Sequence, residues 1–267
     1  MRNWYKFIIS DRIVTGTENR FEFTNYQLIQ SNRNFKDIFN FENFIKNEIF
    51  FKQYNFLINN LDSDKETLFV GSSWGEIEFF LKDKFKIIAS DSEDLYVEFH
   101  KNNTDLNLIK LNILDIKNQN LKHKQVVVNN IEYLFDAQQL KKCIENISKI
   151  SEPGARIFVI FKSRDGFLIR FIDYFLTFAE SYLVYLMKSI NKKVYFQKRH
   201  HGFRRSLKEF KKFWIENNFE FEKIYEDLFE VDYNRLRIIK KLKISSFLSK
   251  IFLKSNPYLN ILVLKKK

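Results

Sequence analysis

The chain has 267 residues, of which 45% are hydrophobic and 29% charged, and a formal net charge of +12. That length suits one α/β domain with insertions or a cap, and the composition is ordinary for a globular protein. A single cysteine, Cys143, excludes an internal disulfide and a zinc site built on cysteines.

The first ten residues include Arg2 and Lys6 but no continuous apolar run, so a secretory signal is not expected and a cytoplasmic location is. Positions 1–66 read as a separate N-terminal helical or cap segment. Within it Phe35, Ile38, Phe39, Phe41, Phe44, Ile45 and Ile49 recur at helical spacing.

From residue 67 short β-branched or aromatic runs alternate with helical stretches. Strands are expected at 67–71, 86–90, 107–111, 125–130 and 156–161, and helices at 75–82, 94–102 and 136–150. Several of the strands are almost wholly apolar, as required where helices cover both faces of a sheet. The alternation predicts an α/β fold: a Rossmann-like, doubly wound sheet, mostly parallel, with helices on both faces. Segments 220–227 and 258–264 suit an antiparallel edge. Positions 67–267 then form one domain with insertions at 162–219 and 228–257.

Ligands of such sheets bind beyond the carboxyl ends of the strands. The first strand runs into Gly71-Ser72-Ser73-Trp74-Gly75-Glu76, where small residues allow a sharp turn and close approach to a ligand. The N-terminus of the following helix is expected to offer free N–H groups to an anion. Asp91 lies twenty positions after Gly71, directly after the second strand, where a carboxylate can accept from both ribose hydroxyls of a nucleoside. Asp115 follows the third strand and is either an acceptor at the rim of the same crevice or a turn cap. Pro153-Gly154 reads as a tight turn before the fifth strand.

This order of glycine turn, Asp91, Asp115, apolar fourth strand and Pro-Gly resembles the class I S-adenosylmethionine-dependent methyltransferases over roughly residues 67–161. The resemblance implies that S-adenosylmethionine is the cofactor. It places Gly71, Ser73 and Gly75 under the methionine and ribose, Asp91 on the ribose, Asp115 on the adenine amino group and Ile116 on the ring. It puts Asn129 and the residues up to Tyr133 beside the methyl group. The sequence departs from the family pattern at Phe69 and Gln125, where acids are frequent, and at Ser73, where a glycine is usual. No Asn-Pro-Pro-Tyr follows the fourth strand, which disfavours methylation of DNA bases. No metal is implied.

Positions 167–190 read as an amphipathic lid helix over a small-molecule acceptor, for example a sugar- or lipid-linked one. By the same resemblance His200 or His201 could serve as general base on the acceptor, since imidazole titrates near neutral pH. Their other reading is a surface basic cluster, residues 198–205. Ser206 reads as a helix N-cap. Between positions 230 and 267 ten basic residues accompany two acidic ones. The stretch 235–254 interleaves them with apolar residues, as in a helix lying on an anionic membrane or one covering a sheet edge.

Two other classes compete. Gly71-Ser72-Ser73-Trp74-Gly75 spells the Gly-x-Ser-x-Gly of an α/β-hydrolase, with Ser73 as nucleophile. The bulky helix start and the absence of an upstream glycine-rich loop oppose that reading. A dinucleotide fingerprint would need glycine at Ser73 and Glu76. A non-catalytic module binding membrane or nucleic acid through the basic tail is the remaining alternative.

Overall fold

The computed structural model describes residues 13–15, 39–46, 48–116, 122–162, 194–196, 205–227 and 259–267. Its strands are β1 (Ile13–Thr15), β2 (Thr67–Val70), β3 (Ile87–Asp91), β4 (Leu108–Lys110), β5 (His123–Asn129), β6 (Ser151–Lys162), β7 (Val194–Phe196), β8 (Phe219–Asp227) and β9 (Leu259–Lys266). The helices are α1 (Phe41–Lys46), α2 (Glu48–Ile58), α3 (Glu76–Leu81), α4 (Asp94–Asn103), α5 (Ala137–Ile150) and α6 (Leu207–Ile215).

Seven strands make one sheet in the order β4-β3-β2-β5-β6-β9-β8. Strands β2 to β6 pair in parallel, and β9 pairs antiparallel with both β6 and β8. The fold is therefore the mostly parallel, doubly wound sheet expected, with an antiparallel edge. The reversed strand is β9, second from the edge, so the outermost β8 runs in the direction of β6.

Alternation along each strand divides the core between two faces. Leu68, Val70, Val126, Val128, Ile157, Val159, Leu262 and Leu264 point to one face and pack with Leu140, Ile144 and Ile147 of α5 and Phe210 and Trp214 of α6. Phe69, Val127, Phe158, Ile160, Ile261 and Val263 point to the other. There they meet Phe44 of α1, Phe56 and Leu57 of α2, and Ile77 and Leu81 of α3. Tyr96 and Phe99 of α4 pack on Trp74, Ala89 and Leu108. Each such aliphatic or aromatic side chain contributes about 1.5–3 kcal/mol on burial. A one-residue register slip would exchange the two faces, which fixes the pairing.

Local signals set the helix starts. Asp136 and Ser206 each form a capping box, with Gln139 and Glu209 respectively. The structure differs from expectation at Pro153-Gly154: β6 begins at Ser151, and the pair lies inside it. His123 is registered with Ser151 and Gln125 with Arg156, so residues 152–155 form an irregularity, with Gly154 at φ +77°. Strands β1 and β7, far apart in sequence, pair antiparallel as a separate two-stranded sheet. No helix among the described residues is long and apolar enough to cross a membrane. The 167–190 and 235–254 segments lie outside the described residues.

Candidate functional site

The chain runs from β2 outward to β3 and β4, then returns to place β5 on the other side of β2. This reversal opens a crevice beyond the carboxyl ends of β2 and β5, where open α/β sheets take their ligands. The turn after β2 lines one wall. Gly71 and Ser72 both donate their N–H groups to the Ser90 carbonyl at 3.0 Å, and Gly75 donates to Ser72 O at 2.8 Å. Gly71, Ser73 and Gly75 have φ of 82°, 52° and 63°, so three of five residues are left-handed. Gly71 is required twice over: a Cβ there would stand 2.1 Å from Ile131 Cγ2. Ile131 follows β5, so the two walls of the crevice touch at this point.

Asp91 closes β3 and turns its carboxylate onto the turn. Its Oδ2 accepts the Ser73 N–H at 2.8 Å, and its Oδ1 accepts the Glu93 N–H at 3.1 Å. Ser73 is the non-glycine residue of the three in left-handed conformation, which carries a strain of about 1–2 kcal/mol, and the bond to Asp91 is what holds it there. Asp91 is 9% exposed. Burial pushes it above the ordinary carboxylate range, opposed by the N–H groups of Ser73, Glu93 and Ser92. A carboxylate offers about four acceptor positions, so capacity remains for a ligand hydroxyl. Of the residues singled out in the sequence, Gly71, Ser73, Gly75 and Asp91 thus form one constellation. Asn129, at the end of β5, joins it: its carbonyl would be 3.3 Å from a Cβ on Gly71, and its side chain accepts from Asn130 Nδ2 at 2.9 Å.

The loop after β4 forms the neighbouring rim. Leu111 N–H donates to Asp91 O at 2.8 Å, carrying the chain past the end of β3. Asp115 is exposed, with its N–H on the Asn112 carbonyl at 3.0 Å, while Ile116 packs half-buried against the cluster containing Ile131. Asn112 lies closer to the strand end than Asp115, and its Oδ1 accepts the Leu114 N–H at 3.0 Å. Its signal in the sequence is its place two positions after the end of β4.

Three further residues gain importance from the structure. His100 reaches from α4 to the Trp74 carbonyl through Nε2 at 3.0 Å and to Thr104 Oγ1 through Nδ1 at 2.8 Å. A carbonyl only accepts, so Nε2 carries the proton and Nδ1 accepts from the threonine hydroxyl. Burial lowers the imidazole's pKa and keeps this neutral form. Trp74 is buried edge-on against Tyr96 and Phe99, at 4.9 and 5.3 Å between centroids, which is packing. Arg205, 6% exposed, donates to Glu132 O at 3.1 Å and Phe135 O at 2.8 Å, tying the segment after β5 to the start of α6. Glu78, in the first turn of α3, is buried behind the glycine turn. His200 and His201 lie outside the described residues.

No family model matches the chain, and no curated protein matches it. Solved structures do. A methyltransferase from Methanosarcina mazei described as S-adenosylmethionine-dependent is similar over 79% of this chain and 96% of its own, with 13% identity and a TM-score of 0.53. One from Archaeoglobus fulgidus, also S-adenosylmethionine-dependent, covers 82% of this chain and 94% of its own at 12% identity and TM-score 0.53. The geranyl diphosphate C-methyltransferase of Streptomyces coelicolor, solved with S-adenosyl-L-homocysteine, covers 81% of this chain and 76% of its own at 13% identity and TM-score 0.51. The fold is that of the Rossmann-like methyltransferases.

Proposed function

We propose that this chain binds S-adenosylmethionine in the crevice between β2 and β5 and transfers its methyl group to a small-molecule acceptor. The observation that carries the reading is the placement of Asp91: a buried carboxylate at the end of β3, hydrogen-bonded to a left-handed turn at the switch point of the sheet. The donor set suits a nucleoside. Asp91 keeps acceptor capacity for ribose hydroxyls, Gly71 and Gly75 let the turn pack closely on Ile131 and on Leu106 and His100, Ile116 offers an apolar face for adenine, and Asp115 or Asn112 can accept from its amino group.

When bound, the cofactor supplies a sulfonium-borne methyl that a nucleophile displaces in line. The chain's own share is orientation, holding donor and acceptor in attack geometry. The segment from Asn129 to Ile131 borders that space, and Arg205 fixes its far end. His200 or His201 takes the proton from an acceptor hydroxyl in this reading. A small-molecule acceptor is consistent with the Streptomyces coelicolor enzyme of the same fold, a geranyl diphosphate C-methyltransferase; that the acceptor is sugar- or lipid-linked is part of the proposal. The basic 228–257 insertion would bring a cytoplasmic enzyme to an anionic membrane that presents such an acceptor. The hydrolase alternative finds no histidine poised for Ser73 among the described residues, because His100 is committed to Trp74 and Thr104.

Calorimetric titration with S-adenosylhomocysteine tests the reading. Wild type should bind, and Asp91→Ala should lose about 2–4 kcal/mol, or 30- to 1,000-fold, because two charge-assisted hydrogen bonds go. Binding that the substitution leaves untouched would remove Asp91 from the site.

A further inference from the structure

The segment that follows β5 holds an acceptor atom without a donor among the described residues. Asn129 closes β5 in register with Ile160, and the Asn130 N–H then donates to the Ile160 carbonyl at 2.9 Å. Asn130 has φ +50°, a left-handed conformation that asparagine tolerates better than most residues yet still holds under strain. Its Nδ2 donates to Asn129 Oδ1 at 2.9 Å. That bond fixes the plane of the amide, with Oδ1 on its other arm. Oδ1 is buried and has no hydrogen-bond partner among the described residues.

Asn130 stands where the two walls of the crevice meet. The residues on either side of it both abut the glycine turn: a Cβ on Gly71 would lie 3.3 Å from Asn129 O and would collide with the Ile131 side chain. The other left-handed side chains have local explanations. Ser73 is held by Asp91. Asn218 ends α6, its N–H on the Ile215 carbonyl and its own carbonyl accepting from Lys267. At Asn130 the bond to Ile160 carries the backbone off the end of β5, and the side-chain oxygen is left for a partner from outside the chain. Outliers of this kind collect at ligand sites.

We propose that Asn130 Oδ1 receives the hydrogen of the methyl-accepting group, and that the acceptor is therefore a neutral hydroxyl or amine and not a carboxylate. The inference rests on the cofactor reading above and narrows its acceptor. A buried acceptor oxygen without a donor is costly, and an O–H or N–H is the group that answers it. A carboxylate brings lone pairs alone and would set them against those of Oδ1. A site built to bond a substrate's O–H or N–H rejects an analogue that lacks the hydrogen, by about 10⁴-fold in the strongest cases.

In the transfer the S–CH3 bond breaks, a bond from the acceptor oxygen or nitrogen to CH3 forms, and sulfur keeps the electron pair of the broken bond. The hydrogen bond to Asn130 turns a lone pair of the acceptor atom toward the methyl, which is an orienting contribution. An amide oxygen is too weak a base to keep the proton. The proton therefore leaves to solvent water, directly or through a base.

The test is calorimetry on wild type, Asn130→Gly and Asn130→Asp with three ligands that share ribose and adenine, so that Asp91 contributes equally to each. S-adenosylhomocysteine has no group at the methyl position. Sinefungin sets a C–NH3+ group there, a hydrogen-bond donor. The third ligand carries a carboxymethyl group on the sulfonium in place of methyl, an acceptor without a hydrogen. Glycine takes φ +50° without strain, so Asn130→Gly removes the amide and keeps the backbone. Asn130→Asp keeps an acceptor and adds a negative charge. Relative to S-adenosylhomocysteine, sinefungin should weaken about tenfold in Asn130→Gly and tighten about threefold or more in Asn130→Asp. In wild type the carboxymethyl ligand should bind about tenfold more weakly than sinefungin. A sinefungin-to-homocysteine ratio that Asn130→Gly moves less than about threefold overturns the role of Asn130, as does equal weakening of all three ligands. A carboxymethyl ligand that binds wild type as tightly as sinefungin overturns the acceptor class. Each of these results, with S-adenosylhomocysteine still bound by wild type, sinks this inference alone. Failure of wild type to bind any of the three sinks the cofactor reading, and this one with it.

Discussion

Replacing Gly71 by alanine probes the contact that joins the two walls of the crevice. The backbone there has φ +82°, and the added Cβ would stand 2.1 Å from Ile131 Cγ2 and 3.3 Å from Asn129 O. The left-handed conformation costs about 1–2 kcal/mol for a side chain with a Cβ. Displacing a buried isoleucine adds about 1–3 kcal/mol of overpacking, for a loss of about 2–5 kcal/mol. Gly154 provides the control: its φ is +77°, and a Cβ meets nothing within 4 Å. Gly154→Ala should therefore lose about 1 kcal/mol, the backbone strain less the entropy removed from the unfolded chain. Urea denaturation of both variants with unchanged m-values isolates the steric part. In a double-mutant cycle, Ile131→Ala should cost less in the Gly71→Ala background than alone, with coupling of about 1–3 kcal/mol. Equal losses at positions 71 and 154, or no coupling, would refute the contact.

Glu78 governs stability against pH. Its folded carboxyl titrates at about 7 against 4.5 in the unfolded chain, so the folded state holds more protons between those values. Wild-type stability should fall as pH rises through that window, and Glu78→Gln should be the more stable by about 2–3 kcal/mol at pH 8 yet equal to wild type at pH 4.5; parallel pH profiles would contradict this. Arg205→Ala removes two buried donors from the segment after β5, so amide exchange of residues 131–135 should accelerate more than that of α5, and uniform acceleration would argue against local anchoring. Asp136→Ala and Ser206→Ala should each cost about 1 kcal/mol by loss of a capping box, read by thermal or urea unfolding. Trp214→Ala, which empties a fully buried site against Phe210 and Phe219, should cost about 3–5 kcal/mol.

Local chemistry made much of this legible in advance. The apolar runs of β2, β5 and β6 announce strands covered on both faces, and the interval from Gly71 to Asp91 equals one strand, turn and helix, so their meeting is encoded in spacing. Elsewhere the decisive term is tertiary. Pro153-Gly154 reads as a turn in isolation, yet pairing with β5 and β9 draws the chain from Ser151 onward into one strand with an irregularity. The pairing of Ile13–Thr15 with Val194–Phe196 joins two three-residue strands with no local signal. Glu78 looks like an ordinary acidic residue in a first helical turn, and His100 like a polar residue near a helix end. Both acquire meaning only when the turn is folded over them.

The most direct measurement is a crystal structure of the chain with S-adenosylhomocysteine. The account predicts both ribose hydroxyls within hydrogen-bonding distance of the Asp91 carboxylate, about 2.5–3.0 Å, with the sugar over the turn from Gly71 to Gly75. A nucleoside bound away from that turn, or an Asp91 carboxylate that contacts Ser73 and Glu93 but no ligand atom, would contradict it.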